Sequence, residues 1–166
     1  SKIGQEFCKN PMVRRLTFTS STEVGRILLR QAAENVMKCP MELGENAHFI
    51  VFADADLDAA VEGAIICKFR NNGQTCICAN KIYVQASIYN VFAQKLADSV
   101  KKVKVGDGLD AETVLGPLIN QKAILQVQEH IADTTAKGAK ILMGGDVSQS
   151  AENFINPTVV TGATKE

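Results

Sequence analysis

The sequence predicts an α/β fold of three layers, with a mostly parallel sheet between helices. Three observations lead there. Short apolar runs alternate along the chain with longer stretches whose apolar residues recur at helical spacing. The helical stretches open on hydroxyl or carboxylate side chains and close on Gly, Asn or Pro. The composition, 46% apolar and 22% charged over 166 residues, suits a soluble domain with a sizeable core.

The elements follow in order. Arg15 to Thr19 alternates and reads as a strand. Ser20-Ser21-Thr22-Glu23 has the capping-box form, with a hydroxyl first and a glutamate three residues later. Val24, Ile27, Leu28, Ala32 and Val36 then extend a helix to about Lys38, and Pro40 ends it. A strand that feeds directly into a helix N-terminus is a natural anion site, because unpaired amides point outward there. Phe49 to Phe52 reads as a buried strand. Asp54 or Asp56 caps the next helix, whose apolar face is Leu57, Val61, Ala64, Ile65 and Phe69. Asn72-Gly73 stops that helix and delivers Cys76.

Ile82-Tyr83-Val84 is the next strand, and Ser87 caps a helix that carries Ile88, Val91, Phe92, Leu96, Val100 and Val103. Gly106-Asp107-Gly108 and Gly116-Pro117 punctuate a loop. Asn120 opens a helix through Ile124, Val127 and Ile131, with Gly138 near its end. Ile141 to Met143 and Phe154 to Val160 close the chain as strands, and Pro157 suggests an edge or bulge in the second. The chain begins inside an amphipathic segment and stops at Thr164-Lys165-Glu166, as an excised piece of a larger protein would.

Charge and composition narrow the function. The formal net charge is zero, so no basic excess draws nucleic acid. No run approaches the ~20 apolar residues that span a bilayer, so no membrane partner is expected. Five irregularly spaced cysteines point to a reducing compartment rather than a disulfide scaffold.

Cys76 is the most informative residue. Asn71-Asn72-Gly73-Gln74-Thr75-Cys76-Ile77-Cys78 places a thiol on a glycine-bounded turn after a helix. A buried structural cysteine rarely needs such a mount, whereas a nucleophile does. Glu42, in Met41-Glu42-Leu43-Gly44, lies 34 residues upstream. A nucleophile and a distant acid suggest a covalent mechanism whose second step needs a general base. Cys67, Cys76 and Cys78 do not suggest a metal site, since no Cys-x-x-Cys pair or neighbouring His completes a tetrahedral set. Glycines 144 and 145 read as a turn, His130 as a solvated helix residue, and Lys101, Lys102 and Lys104 as a solvated helix end.

Four segments together resemble the aldehyde dehydrogenase superfamily. They are Phe18-Thr19-Ser20-Ser21-Thr22-Glu23-Val24-Gly25, Met41-Glu42-Leu43-Gly44, Gly73-Gln74-Thr75-Cys76 and Gly116-Pro117-Leu118-Ile119. They fall in the family's order and with its Glu-to-Cys spacing. The run Lys68 to Asn80 looks most like the succinate-semialdehyde dehydrogenase branch. The resemblance implies a catalytic domain of that family over residues 45–166, preceded at 1–44 by the end of a Rossmann-like nucleotide-binding domain.

It also implies NAD- or NADP-dependent oxidation of a small aldehyde, best succinic semialdehyde, to the acid. Cys76 is then the nucleophile and Glu42 the general base. Thr19, Ser20, Ser21, Gly25 and Leu43 fall at cofactor-binding positions. Arg70 falls where that branch binds the substrate carboxylate; its plainer role is a cation at a helix C-terminus. Cys78 resembles the partner of a reversible disulfide that silences the nucleophile, and its plainer role is packing. The family makes dimers and tetramers, so a homo-oligomer is expected. The expected location is the cytoplasm, or the mitochondrial matrix if a transit peptide precedes this segment.

Ser20 stands where the family usually has glycine, Glu45 where it has a second glycine, and His48 where proline is common. A side chain at Ser20 would crowd the cofactor, and Glu45 would set a like charge near Glu42. These departures favour an alternative: a non-catalytic, truncated homologue that acts only in subunit association.

Overall fold

The computed structural model describes residues 2–146 and 153–164. Ser1, and the Lys165-Glu166 pair at which the chain stops, lie outside the described residues. Residues up to Asn46 form one compact unit and those from Ala47 onward form a second.

In the first unit, α1 (Lys2–Lys9) packs on α2 (Thr22–Ala33), and β1 (Phe18–Thr19) pairs in parallel with β2 (Met41–Glu42). A parallel bridge between Arg15 and Lys38 extends the pairing. The predicted strand from Arg15 is therefore real but regular only at its end. The cap of α2 is Ser21, not Ser20: the Ser21 hydroxyl accepts from the Val24 N–H at 3.4 Å. Ser20 instead continues the ladder, donating its N–H to the Glu42 carbonyl at 3.1 Å. The helix also stops at Ala33, short of Lys38, because Val36 turns to φ 49° and closes a tight reversal. The core of this unit is Cys8, Leu28 and Ala32, with Leu16, Phe18, Met37, Cys39 and Met41 packed around them. Burial, and then the neighbouring Cys39, push the Cys8 thiol above its ordinary pKa.

The second unit is built on β3 (Ala47–Val51), paired in parallel with β4 (Ala79–Val84). Between them runs α3 (Leu57–Phe69), capped by Asp56, whose carboxylate accepts from the N–H groups of Asp58 and Ala59. Then comes α4 (Tyr89–Val100). Its start is a 3-10 turn, Ala86–Ile88, and Ser87 makes no cap there. The helix ends at Val100 rather than reaching Val103. Further on, α5 (Gln121–Ala136) has the predicted cap, with Asn120 Oδ1 accepting from Ala123 N–H at 3.1 Å.

The last pair, β5 (Lys140–Met143) and β6 (Val159–Thr161), is antiparallel. The strand expected from Phe154 forms only from Val159, beyond Pro157, which has no N–H to give a ladder. The α/β class with parallel pairing holds, and the strands form three two-stranded sheets among the described residues.

Alternation on β3 turns Phe49 and Val51 inward and leaves His48 and Ile50 exposed; Phe52, just past the strand, is exposed too. Val51, Val61, Ala64, Phe92, Leu96, Ala97, Val100 and Val159 form the core between the helices and the strands. No helix among the described residues is long and apolar enough to cross a membrane.

Candidate active site

The thiol mount begins where α3 ends. Three successive residues take left-handed conformations: Asn71 at φ 50°, Asn72 at φ 57° and Gly73 at φ 73°. Asparagine and glycine tolerate this region better than other residues. The reversal takes place in a 3-10 turn, Arg70–Gly73, so the helix has already ended at Phe69, before the predicted Asn72-Gly73 stop. A second turn follows, with Cys78 N–H donating to the Thr75 carbonyl at 3.0 Å. Cys76 lies exposed within it, while Cys78 is 3% exposed.

The two cysteines thus face different surroundings. The Arg70 carbonyl accepts from the Thr75 hydroxyl at 3.3 Å and from the Cys78 thiol at 3.7 Å. The Arg70 side chain is exposed and makes no ion pair among the described residues. Cys76 N–H has no protein acceptor among the described residues.

The mount is also tied to the Gly116–Ile119 loop. Asn72 Nδ2 donates to the carbonyls of Gly116 and, at 3.2 Å, Pro117. Asn72 Oδ1 accepts from Gly116 N–H at 3.1 Å, and Gln74 Oε1 accepts from Ile119 N–H at 3.0 Å. Two motifs singled out separately in the sequence are therefore bound to each other. Sequence reasoning did not find Asn72 and Gln74 as the residues that join them. The Asn71-Asn72-Gly73 run signals left-handed backbone, but nothing in it names the loop that the side chains meet.

The first unit gathers the other candidates. Parallel register sets Thr19 opposite Glu42. Glu42 is exposed, and its carbonyl is held by Ser20 N–H. Gly25 is buried, and a Cβ there would sit 2.5 Å from Leu43 Cδ2, so glycine makes room for the leucine. Thr19, Ser20 and Ser21 are exposed where β1 meets the first turn of α2. Ser21 occupies Val24 N–H, which leaves the Thr22 and Glu23 amides without intrahelical partners. These hydroxyls and amides suit the sugar and phosphate oxygens of a dinucleotide. Glu23, in the same turn, sets a negative charge against such phosphates. Arg70, Cys76 and Cys78 belong to the second unit. A cavity of about 470 Å³ between α3 and α4 is lined by Asp58, Glu62, Ile65, Lys95 and Asp98 among others, and by none of these candidates.

A family profile described as "Aldehyde dehydrogenase family" matches residues 1–166. The chain belongs to the aldehyde dehydrogenase family. It is 54% identical over 164 residues to the glutarate-semialdehyde dehydrogenase of Pseudomonas putida, covering 99% of this chain and 34% of that protein. It is 53% identical over 158 residues to the NADP(+) succinate-semialdehyde dehydrogenase of Escherichia coli, covering 95% of this chain and 33% of that one. The solved succinate-semialdehyde dehydrogenase from Burkholderia pseudomallei superimposes with a TM-score of 0.95 at 54% identity, over 98% of this chain and 34% of that one. The aldehyde-dehydrogenase-like fold implied by the sequence motifs is therefore the fold of this chain, which spans about a third of the length of the curated relatives it matches.

Proposed function

We propose that this chain carries the nucleophile and general base of an NAD(P)-dependent aldehyde dehydrogenase acting on a small aldehyde with an acidic group at its far end. The observation that carries the reading is the exposed Cys76 thiol on a mount fixed from two sides. Residues 1–44 are read as the end of a nucleotide-binding domain and 45–166 as part of the catalytic domain.

The Cys76 thiolate attacks the aldehyde carbon, and a C–S bond forms. The oxygen, now bearing the charge, is received in part by the free N–H of Cys76. NAD or NADP, when bound, supplies the acceptor for the aldehyde hydrogen that leaves with its electron pair. Thr19, Ser20, Ser21, Gly25 and Leu43 would hold it. The acyl group remains on Cys76 as a thioester. Glu42 takes a proton from water, the resulting hydroxide adds to the thioester carbon, and the C–S bond breaks to release the acid and the thiolate. Arg70 receives the substrate's distal carboxylate through parallel hydrogen bonds.

Several relatives support that substrate class. Those named for succinate semialdehyde, glutarate semialdehyde and 3-sulfolactaldehyde are 45–54% identical to this chain. Each named aldehyde carries an anionic group. NADP(+) appears in the names of the Escherichia coli and Sinorhizobium fredii relatives, which favours that cofactor.

The test is NAD(P)H formation by the purified chain with succinic semialdehyde, beside Cys76→Ala and Arg70→Ala. A Cys76-dependent signal that Arg70→Ala weakens through KM is expected. A signal that survives Cys76→Ala refutes the reading. A second reading, association without catalysis, draws on Ile50 on β3 and Phe52 just beyond its end, 59% and 62% exposed. It predicts self-association in solution and no NAD(P)H. A homo-oligomer fits both readings. Cys78 is proposed as a reversible disulfide partner of Cys76, which requires its thiol to leave the Arg70 carbonyl; unchanged labelling of Cys76 after mild oxidation would sink that idea.

A further inference from the structure

We propose that Asn72 is a positioning residue for Cys76, its carboxamide locking the thiol-bearing turn to the loop at Gly116–Pro117. The proposal rests on reading Cys76 as the nucleophile. Two requirements conflict at this turn. The chain must reverse within a few residues of α3 and then hold an exposed thiol still. Exposed turns move unless something anchors them.

Asn72 meets both demands. Its backbone sits at φ 57°, which asparagine accepts more readily than most residues. Its side chain is half-buried and engages the 116–117 segment from both ends of the amide. Oδ1 accepts from Gly116 N–H at 3.1 Å, and Nδ2 donates to the Gly116 and Pro117 carbonyls. This pattern needs a donor and an acceptor on one short planar group, which a carboxamide supplies and a carboxylate or hydroxyl of that length does not.

The receiving loop is itself anchored. Leu115 and Leu118 are buried, at 4% and 6% exposure. Leu118 N–H donates to the Asn153 carbonyl at 2.8 Å, and Gly106 N–H to the Leu115 carbonyl at 2.9 Å. Lys104, whose carbonyl accepts from Val114 and Leu115, also pairs with Asp110 and Glu112 at 2.8 and 3.0 Å. Asn72 therefore grips a fixed support and not another mobile turn. The link reaches Cys76 through only three intervening residues, one of which, Gln74, bonds the same loop at Ile119. The opposite side of the turn is held by the Arg70 carbonyl. Loss of the Asn72 contacts would leave the mount attached mainly from one side.

The test uses the full chain with two variants. Asn72→Gly keeps the left-handed backbone open and removes the carboxamide. Asn72→Asp keeps the shape and the acceptor for Gly116 N–H but removes the donor. Alkylation of Cys76 by iodoacetamide is followed across neutral to alkaline pH by peptide mass mapping, with free cysteine alongside. Amide exchange at Gly116 and Ile119 is read in the same samples.

Wild-type Cys76 should react faster than free cysteine. Both variants should lose about tenfold of that rate, as expected when a reacting group is held less well. Their pH profiles should differ from that of wild type, and the Ile119 amide should exchange faster. If wild type is fast and Asn72→Gly matches it in rate and pH profile, the positioning role is wrong and the nucleophile reading stands. If wild-type Cys76 is no faster than free cysteine, the nucleophile reading fails and the positioning role falls with it.

Discussion

Gly73→Ala is the most informative single change in the thiol mount. Gly73 lies at φ 73°, and a Cβ there would sit 3.2 Å from the Lys68 carbonyl oxygen. The left-handed backbone costs an alanine roughly 1–2 kcal/mol. A smaller unfolded-state entropy returns about 0.4–1 kcal/mol. The contact adds to the cost, because the atom met is a backbone oxygen in the last turn of α3 and cannot swing aside. A net loss of about 1–2 kcal/mol follows, or roughly a five- to thirtyfold fall in the folded-to-unfolded ratio. Gly73→Asn separates the two effects: it keeps the Cβ and its contact but tolerates the backbone. Urea unfolding followed by circular dichroism should place Gly73→Asn between wild type and Gly73→Ala, with the slope unchanged. Alkylation of Cys76 should slow in the alanine variant. An alanine variant as stable as wild type, or no weaker than the asparagine variant, would refute the reasoning.

Phe92 is 1% exposed in the core of the second unit, so Phe92→Ala should cost about 3–5 kcal/mol by the same unfolding assay. Asn120→Ala removes the cap of α5 and should cost about 1 kcal/mol, whereas Asn120→Asp should cost far less. The hydrogen bond from Lys104, and then the Glu112 N–H, hold the Asp110 carboxyl below its ordinary pKa. A depressed folded-state pKa gives stability that is present above the ordinary carboxylate value and is lost as pH falls through the folded one. Acid titration should therefore show a destabilising limb below pH ~4 that is smaller in Asp110→Asn, and identical acid limbs would rule this out.

The sequence revealed elements more readily than the side-chain ties between them. Asn120 was legible as a cap because a polar side chain immediately precedes a long apolar period; Asp54 and Asp56 both fitted the start of α3, and the structure uses Asp56. Ser20 misled because Ser21 also carries a hydroxyl, and the choice between them depends on which backbone N–H the strand β2 claims. Ser87 misled because a 3-10 turn satisfies the start of α4 through backbone alone. Pro157 correctly marked trouble in the last strand, yet its lack of an N–H erased more of the strand than periodicity suggested.

At the candidate site, Cys76 and Glu42 stood out in their motifs, and Arg70 entered through the family resemblance. Their placement follows from local rules: an exposed turn, a parallel ladder and a helix end. The tie between Asn72 and the Gly116–Pro117 segment was not readable. It joins residues 44 positions apart through a side chain, and no periodicity reports such a contact. The Gly25–Leu43 fit was hidden for the same reason, since the space a missing Cβ leaves appears only when the partner strand is in place.

The most direct test of the central claim is the mass of the covalent species on Cys76. Glu42→Gln is mixed with succinic semialdehyde and NADP, quenched in acid and digested. If Cys76 is the nucleophile and Glu42 the base for hydrolysis, the succinyl group accumulates on the Cys76 peptide in that variant and is scarce in wild type. An acyl group on a different cysteine, or none on Cys76 while NADPH is still formed, would contradict it.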